Sequence, residues 1–370
     1  MSHHGVTAHV TTAHRANDNR IFRKECTSLA EAGVRVVLIA VAEESGTVDG
    51  VALRALPRRG SRLTRMLLGP FDAWRELRRV RPDVVHVHDP ELVPLAVAWK
   101  ALHRTRFVFD AHEDLAKQVM GKPYIPVRLR PIARAFARAL ERTVDRHADL
   151  VVAATPSIAQ TFTRSEVVLV QNFPWLRDFP APTPVPAGTR TAVYVGGIAE
   201  GRGALEMLSA VKRAASHPRL VLAGPVASAA LRERLEADPI VTYHGALPAS
   251  EVPGVVEEGA VGFVLLHPLP NYLESQPTKI FEYMAAERPF ICSDFPFWRE
   301  LVGGYDCGLF VDPHDTDAVA SALDTLLGDS ELATRMGKNG RRAVEQHFVF
   351  ENEADRLVAA TRRLFSAERR

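Results

Sequence analysis
The chain has 370 residues, 46% of them hydrophobic and 24% charged, with a formal net charge of +2. That length exceeds one typical core and predicts two domains of about 150–200 residues each. The balance excludes a disordered or fibrous chain, and three widely spaced cysteines (Cys26, Cys292, Cys307) exclude a disulfide framework.

The opening MSHHGVTAHVTT has no basic stretch followed by an apolar run, so no signal peptide is expected. His3 and His4 read as native residues or a cloning scar rather than a site. No apolar run approaches the roughly 18 residues of a membrane span. A reduced, cytoplasmic protein is expected.

In chain order, short apolar runs alternate with helical patterns, which predicts parallel sheets covered by helices. Strands are expected at 6–10, 34–41, 84–87, 106–109 and 150–153, with helices such as 21–32 and 90–102 between them. A second strand series falls at 191–195, 219–222, 241–243, 262–266, 290–293 and 308–311. Residues 173–188 hold five prolines, a density that excludes helix and reads as a semi-rigid extended linker. The expected organisation is a domain over 1–172, a linker over 173–189, a second domain over 190–347, and a closing segment 348–370, helical over 351–364.

Charge is unevenly shared. Residues 1–180 hold 27 Lys+Arg against 19 Asp+Glu, whereas residues 181–370 hold 19 against 25. Arginines crowd residues 54–81 and recur as Arg130, Arg134, Arg138, Arg142 and Arg146, a slowly winding helical stripe. Two readings stand: attraction to an anionic membrane surface or phosphorylated acceptor, or a solvated helix face partly neutralised by Glu141 and Asp145. No aromatic residues interleave with these arginines as a base-stacking platform needs, so nucleic acid is not an expected partner.

The most informative segment is ESQPTKIFE, from Glu274 to Glu282. Pro277 suits a first helical turn, and residues 279–286 read as helix. Eight helical positions span about 12 Å. An acid and base sharing one glycosidic bond sit closer, at about 5–9.5 Å. The spacing suits a ligand with two polar ends and a diphosphate between them, held at the helix N-terminus.

With the frame PTKIFEYMAA from Pro277 and RPFICSDFP from Arg288, the chain resembles the retaining glycosyltransferases of the GT-B fold, family 4 (group 1), over nearly its whole length. The resemblance implies two doubly wound Rossmann-like α/β domains with parallel sheets facing across a cleft that binds a nucleotide sugar. It implies that Glu274 lies beside the donor sugar and Glu282 hydrogen-bonds the ribose, with Ser275, Gln276, Pro277 and Thr278 between them. In the loop after the first strand of the second domain, Gly196 and Gly197 approach the diphosphate and Arg202 neutralises it. Many relatives carry a basic residue where Gly197 stands, and Lys279 is the candidate replacement. The resemblance gives His112 to the donor sugar. Gly224, Tyr243 and His244 are expected to flank the base. The loop after residue 12 lacks the glycine pair common in relatives and carries Asp18-Asn-Arg20 instead. His14, Asp18 and Arg20, with His88 and Asp89, are candidate acceptor-side groups; capping of the 21–32 helix by Asn17 or Asp18 is the structural alternative.

No cofactor is expected beyond the nucleoside diphosphate sugar as co-substrate, and no metal. The acceptor is a hydroxyl or amine of a glycan, lipid-linked or small-molecule compound. The basic first domain leaves open a peripheral contact with the inner face of the membrane. Other readings are a nucleotide-sugar epimerase or a non-catalytic binding partner of the same fold. A metal-dependent hydrolase built on His86-Val-His88, with Asp110 and His112, is the remaining one. Asp315-Thr-Asp317 reads as a helix cap rather than a metal motif.

Overall fold
The computed structural model of the chain describes residues 5–121 and 125–366; His3 and His4 lie outside them. The chain divides into two units, residues 1–172 with 351–370, and residues 173–350.

The first unit holds an eight-stranded sheet built from β1 (Val6–Arg15), β2 (Arg35–Val41), β3 (Gly46–Val48), β4 (Val51–Leu56), β5 (Val84–Val87), β6 (Arg106–Ala111), β7 (Leu150–Ala153) and β8 (Glu166–Leu169). Its order is β3-β4-β2-β1-β5-β6-β7-β8. Every neighbouring pair is parallel except β3–β4, an antiparallel edge hairpin that the expected parallel sheet did not include. The central strands are apolar runs buried on both faces, as crossover helices require. The expected 21–32 helix instead opens as a wide turn, Ile21–Cys26, with the Glu25 N–H bonded back to the Arg20 carbonyl, before the α-helix Thr27–Glu31. Helices Arg62–Val80, Val93–His103 and Arg130–His147 pack Leu77, Trp99 and Val144 into one core cluster with β5 and β6.

The second unit holds six parallel strands: β9 (Thr191–Val195), β10 (Arg219–Ala223), β11 (Val241–Tyr243), β12 (Val261–Val264), β13 (Phe290–Ser293) and β14 (Gly308–Val311). Their order, β11-β10-β9-β12-β13-β14, reverses direction between β9 and β12. Open α/β sheets bind ligands at such a switch point, beyond the carboxyl ends of the strands.

The proline-rich stretch departs from the extended linker expected of it. Leu176–Asp178 forms a 3-10 turn, and Phe173 and Phe179 are buried in the core of the second unit. Phe173 packs edge-on to Phe281 at 4.9 Å between ring centres, and Trp175 packs against Phe350. The aromatics fix what the prolines leave extended. Asp315 caps the helix Thr316–Gly328, its carboxylate accepting from the Ala318 N–H at 2.9 Å. The closing helix, Phe350–Ser366, belongs to the first unit from Glu351 onward: Glu353 accepts from the Gln171 N–H at 2.9 Å, and Arg363 pairs with Glu166 at 2.6 Å. No helix among the described residues is long and apolar enough to cross a membrane.

Candidate functional site
In the second unit, the loop following β9 sits at the switch point. The Gly196 N–H bonds the Ala223 carbonyl at 2.8 Å, drawing the ends of β9 and β10 together. Gly196 and Gly224 have φ of +117° and +135°, which only glycine adopts without strain. A Cβ at Gly224 would overlap the Gly196 carbonyl.

Two cations converge on this loop from different elements. Lys279 Nζ comes from the first turn of helix Thr278–Ala285, near enough that a Cβ on Gly196 would lie 3.4 Å from it. Arg202 Nη1 comes from the turn Glu200–Arg202 and would stand 3.3 Å from a Cβ on Gly197. Tyr194 organises both: its hydroxyl donates to the Gly197 carbonyl at 2.8 Å and accepts from Lys279 Nζ at 3.3 Å. Lys279 is only 7% exposed, yet among the described residues neither Lys279 nor Arg202 has a carboxylate within 4.0 Å. A nearly buried ammonium without a counter-anion is costly unless a ligand supplies the charge.

The same helix begins without a side-chain cap, Pro277 taking the position before its first residue rather than the first turn expected of it. Its leading N–H groups carry the positive end of the helix dipole. Glu282 is half-buried one turn further on, and Glu274 is exposed in the preceding loop. That loop is pinned by Ser275, whose hydroxyl donates to the Tyr272 carbonyl and whose carbonyl accepts from Trp298 Nε1, both at 2.8 Å. Gln276 and Thr278 are half-buried beside it. At the end of β11 the Tyr243 hydroxyl donates to the Gly224 carbonyl at 2.8 Å, while His244 turns to Glu258 at 3.1 Å. The structure thus brings Gly196, Gly197, Gly224, Arg202, Lys279 and Tyr243 to one strand edge. Tyr194 and Trp298 were not read from the sequence, because an aromatic inside an apolar run looks like core.

Gly224→Ala is expected to cost about 3 kcal/mol, strain together with displacement of the Gly196 loop. Gly245→Ala, at φ +77° with nothing within 4 Å of the added carbon, should cost only about 1–2 kcal/mol. Urea denaturation of the two variants checks the difference; equal losses would show that the contact with Gly196 carries no weight.

In the first unit the switch point lies between β1 and β5, and a buried polar network fills it. Asp110, at the end of β6, is its hub. Arg20 donates to both Asp110 oxygens, at 2.8 Å from Nη2, and His88 Nδ1 lies 3.0 Å from Oδ2. His112 Nδ1 lies 3.3 Å from the same oxygen. Because the carboxylate accepts from His88 Nδ1, His88 Nε2 is left to accept from His9 Nδ1 at 3.0 Å. Burial would raise the Asp110 carboxyl, but the Arg20 guanidinium and the two imidazoles hold it well below its ordinary range. Burial and the Asp110 charge push Glu25 the other way, well above its ordinary range.

Of the acceptor-side candidates, Arg20, His88 and Asp89 are buried and bonded within the protein. Asp89 Oδ2 accepts from Thr11 Oγ1 and the N–H groups of Thr12 and Ala13, which shapes the turn after β1. Asp18 Oδ1 accepts from the N–H groups of Arg20 and Ile21 at 2.9 Å, where the 21–26 turn begins, and its Oδ2 lies 3.1 Å from His14 Nδ1. That bond raises the His14 pKa. His14 and His112 stand edge to face at 5.7 Å, each with about a third or a quarter of its side chain exposed. His9 and Glu25 were missed, since only the strand register sets His9 beside His86. Two groups of described residues have ligand atoms close enough to hold a metal ion: His9, Glu25, His86 and His88, and Glu206, His267 and His314. In the first, Arg20 Nε already lies 3.1 Å from Glu25.

Residues 19–173 match the family described as "Glycosyl transferase 4-like domain", and residues 177–343 match "Glycosyl transferases group 1". The chain belongs to the group 1, family 4-type glycosyltransferases and is a transferase enzyme. It is 24% identical over 337 residues to the glycogen synthase of Mycobacterium tuberculosis, covering 85% of this chain and 74% of the relative. Sucrose-phosphate synthase from Thermosynechococcus elongatus matches in structure with a TM-score of 0.79 at 18% identity, over 98% of this chain and 100% of that one. Anabaena HepE in complex with UDP-glucose matches with a TM-score of 0.71 at 13% identity, over 97% and 100%. These likenesses establish the GT-B fold.

Proposed function
We propose that this enzyme moves a sugar from a nucleoside diphosphate sugar to a hydroxyl or amine of a glycan, lipid-linked or small-molecule acceptor, with retention at the anomeric carbon. The observation that carries the donor is the convergence of Lys279 and Arg202 on the glycine loop without carboxylate partners among the described residues. In this reading the diphosphate lies over Gly196 and Gly197, Glu282 holds the ribose and Glu274 orients the sugar. Gly224 and Tyr243 flank the base. As the glycosidic bond breaks, negative charge gathers on the departing diphosphate, and fixed cations stabilise it without reorganisation. Two cations and a helix N-terminus suffice for this, so transfer is proposed to need no metal. The arginine-rich first unit is proposed to meet a membrane peripherally.

A thermal-shift screen of nucleoside diphosphates and nucleotide sugars, with and without EDTA, tests the donor. UDP-glucose heads the screen, because HepE is described in complex with it. A ligand at 100 times its Kd adds about 2.7 kcal/mol, a shift of a few degrees for a chain this size. The expected result is a rise with one base, unchanged by EDTA and lost in Glu282→Ala. No rise with any nucleotide would overturn the donor, and loss of the rise in EDTA would overturn metal independence.

A further inference from the structure
We propose that the first unit docks on an anionic bilayer through two exposed apolar helix rows; this deepens the peripheral contact proposed above and is independent of the transfer chemistry. On helix Arg62–Val80, Leu63, Leu67 and Phe71 recur every fourth residue and are 72%, 68% and 74% exposed. On helix Arg130–His147, Ile132 and Phe136 repeat the pattern at 68% and 62%. Neither row serves the core, because each helix already buries a different face, through Ala73 and Leu77 in one and Ala137 and Val144 in the other. Isolated exposed apolar residues are ordinary, but a row of them on one helix face marks an interaction surface.

The two rows project from the same side of the unit. The crossovers β4 to β5 and β6 to β7 run in one direction across the sheet, so right-handed connections place both helices on one face. Helix Val93–His103 lies between them: Trp99 meets Trp74 edge-on at 4.9 Å, and Lys100 donates to the His147 carbonyl at 2.8 Å. Each row occupies the N-terminal half of its helix, following a strand's carboxyl end, so both rows lie toward that edge of the sheet.

Charge selects the occupant. Residues 58–71 and 127–140 together hold eight arginines and no aspartate or glutamate, although Arg59 pairs with Asp72 and Arg65 with Glu91. Glu141 and Asp145, which one reading set against the second stripe, also bond to backbone. Glu141 accepts from the Ala116 N–H, and Asp145 from those of Arg164 and Ser165. A second copy of the chain docked about a two-fold axis would set arginines against arginines. Anionic lipid meets both needs, with acyl chains for the apolar rows and phosphates for guanidinium heads at the interface.

The test is flotation of the full chain with phosphatidylcholine vesicles, with and without phosphatidylglycerol. Binding should require phosphatidylglycerol, weaken as salt screens the arginines, and fall about tenfold or more in Leu67→Gln/Phe71→Gln. That double variant should keep the wild-type melting temperature and any nucleotide-induced shift. Three results would each overturn the proposal: no binding, binding indifferent to the double variant, or a dimer by light scattering that the double variant dissociates. Vesicle binding without any nucleotide shift would sink the donor assignment and leave the docking face standing.

Discussion

Lys279→Ala is expected to lower kcat by about 10²–10³-fold, the range seen when one preorganised donor to a developing anion is removed. Lys279 is held in place by the Tyr194 hydroxyl and ring, so its ammonium needs no reordering when the diphosphate departs. Arg202→Ala should act in the same direction, mainly on turnover. The two losses should not add, since both cations face one glycine loop. Glu282→Ala should instead raise the donor KM, because the ribose contact proposed for it would be equally strong before and during transfer. Steady-state kinetics of the three variants separate these effects. Wild-type kcat in Lys279→Ala would remove it from the chemistry, and a melting curve shows whether any loss is merely unfolding.

Asp110→Asn should cost about 3–5 kcal/mol, the usual result of removing one partner from a buried ion pair. It leaves Glu25 as the carboxylate paired with Arg20 and turns one of two acceptor oxygens into an NH2 that opposes the donors of Arg20 or His88. Because the folded Asp110 pKa is depressed, its contribution is full above about pH 4 and is lost as pH falls through the folded value. The histidines behind it add a second dependence. Burial, with neighbouring imidazoles, keeps His9 and His86 well below their ordinary range, so they take up protons only on unfolding. Their effect is a loss of stability as pH drops below about 6.5, up to about 1.4 kcal/mol per group per pH unit. His14 and His112 are shifted upward and oppose this, and so does Glu25, whose raised pKa adds stability as pH falls. Removing one buried imidazole should tilt that balance: between about pH 7 and pH 5 the melting temperature of His86→Gln should fall less, or rise more, than that of the wild type. Parallel profiles would mean that His86 takes up no proton on unfolding in that range.

The sequence carried the architecture because central parallel strands are short, mainly apolar runs buried on both faces, as VVHV of β5 and FICS of β13 show. It failed at the sheet edge. Gly46–Val48 is exposed along its whole length and has no apolar signature to read. The glycine loop after β9 was legible because Gly196, Gly197 and Arg202 are local in sequence. The network around Asp110 was not, since it depends on register: His9, His86 and Asp110 come from three strands more than twenty residues apart, and alternation alone does not say which residues share a side. Prolines misled at 173–188 because Phe173, Trp175 and Phe179 among them decide the packing. The apolar rows at Leu63 and Ile132 passed as ordinary amphipathic helix, because sequence shows that a stripe exists but not which stripe the core takes.

Residues 173–350 form one unbroken stretch, whereas the unit that precedes them is finished only by residues 351 onward. Topologically, the unit of residues 173–350 is an insertion within the other. During synthesis it can complete its sheet as soon as it leaves the ribosome, while the first-made unit waits for Glu353 to meet the Gln171 N–H. A nonsense mutation near residue 350 would therefore strand the older half of the chain, not the younger one.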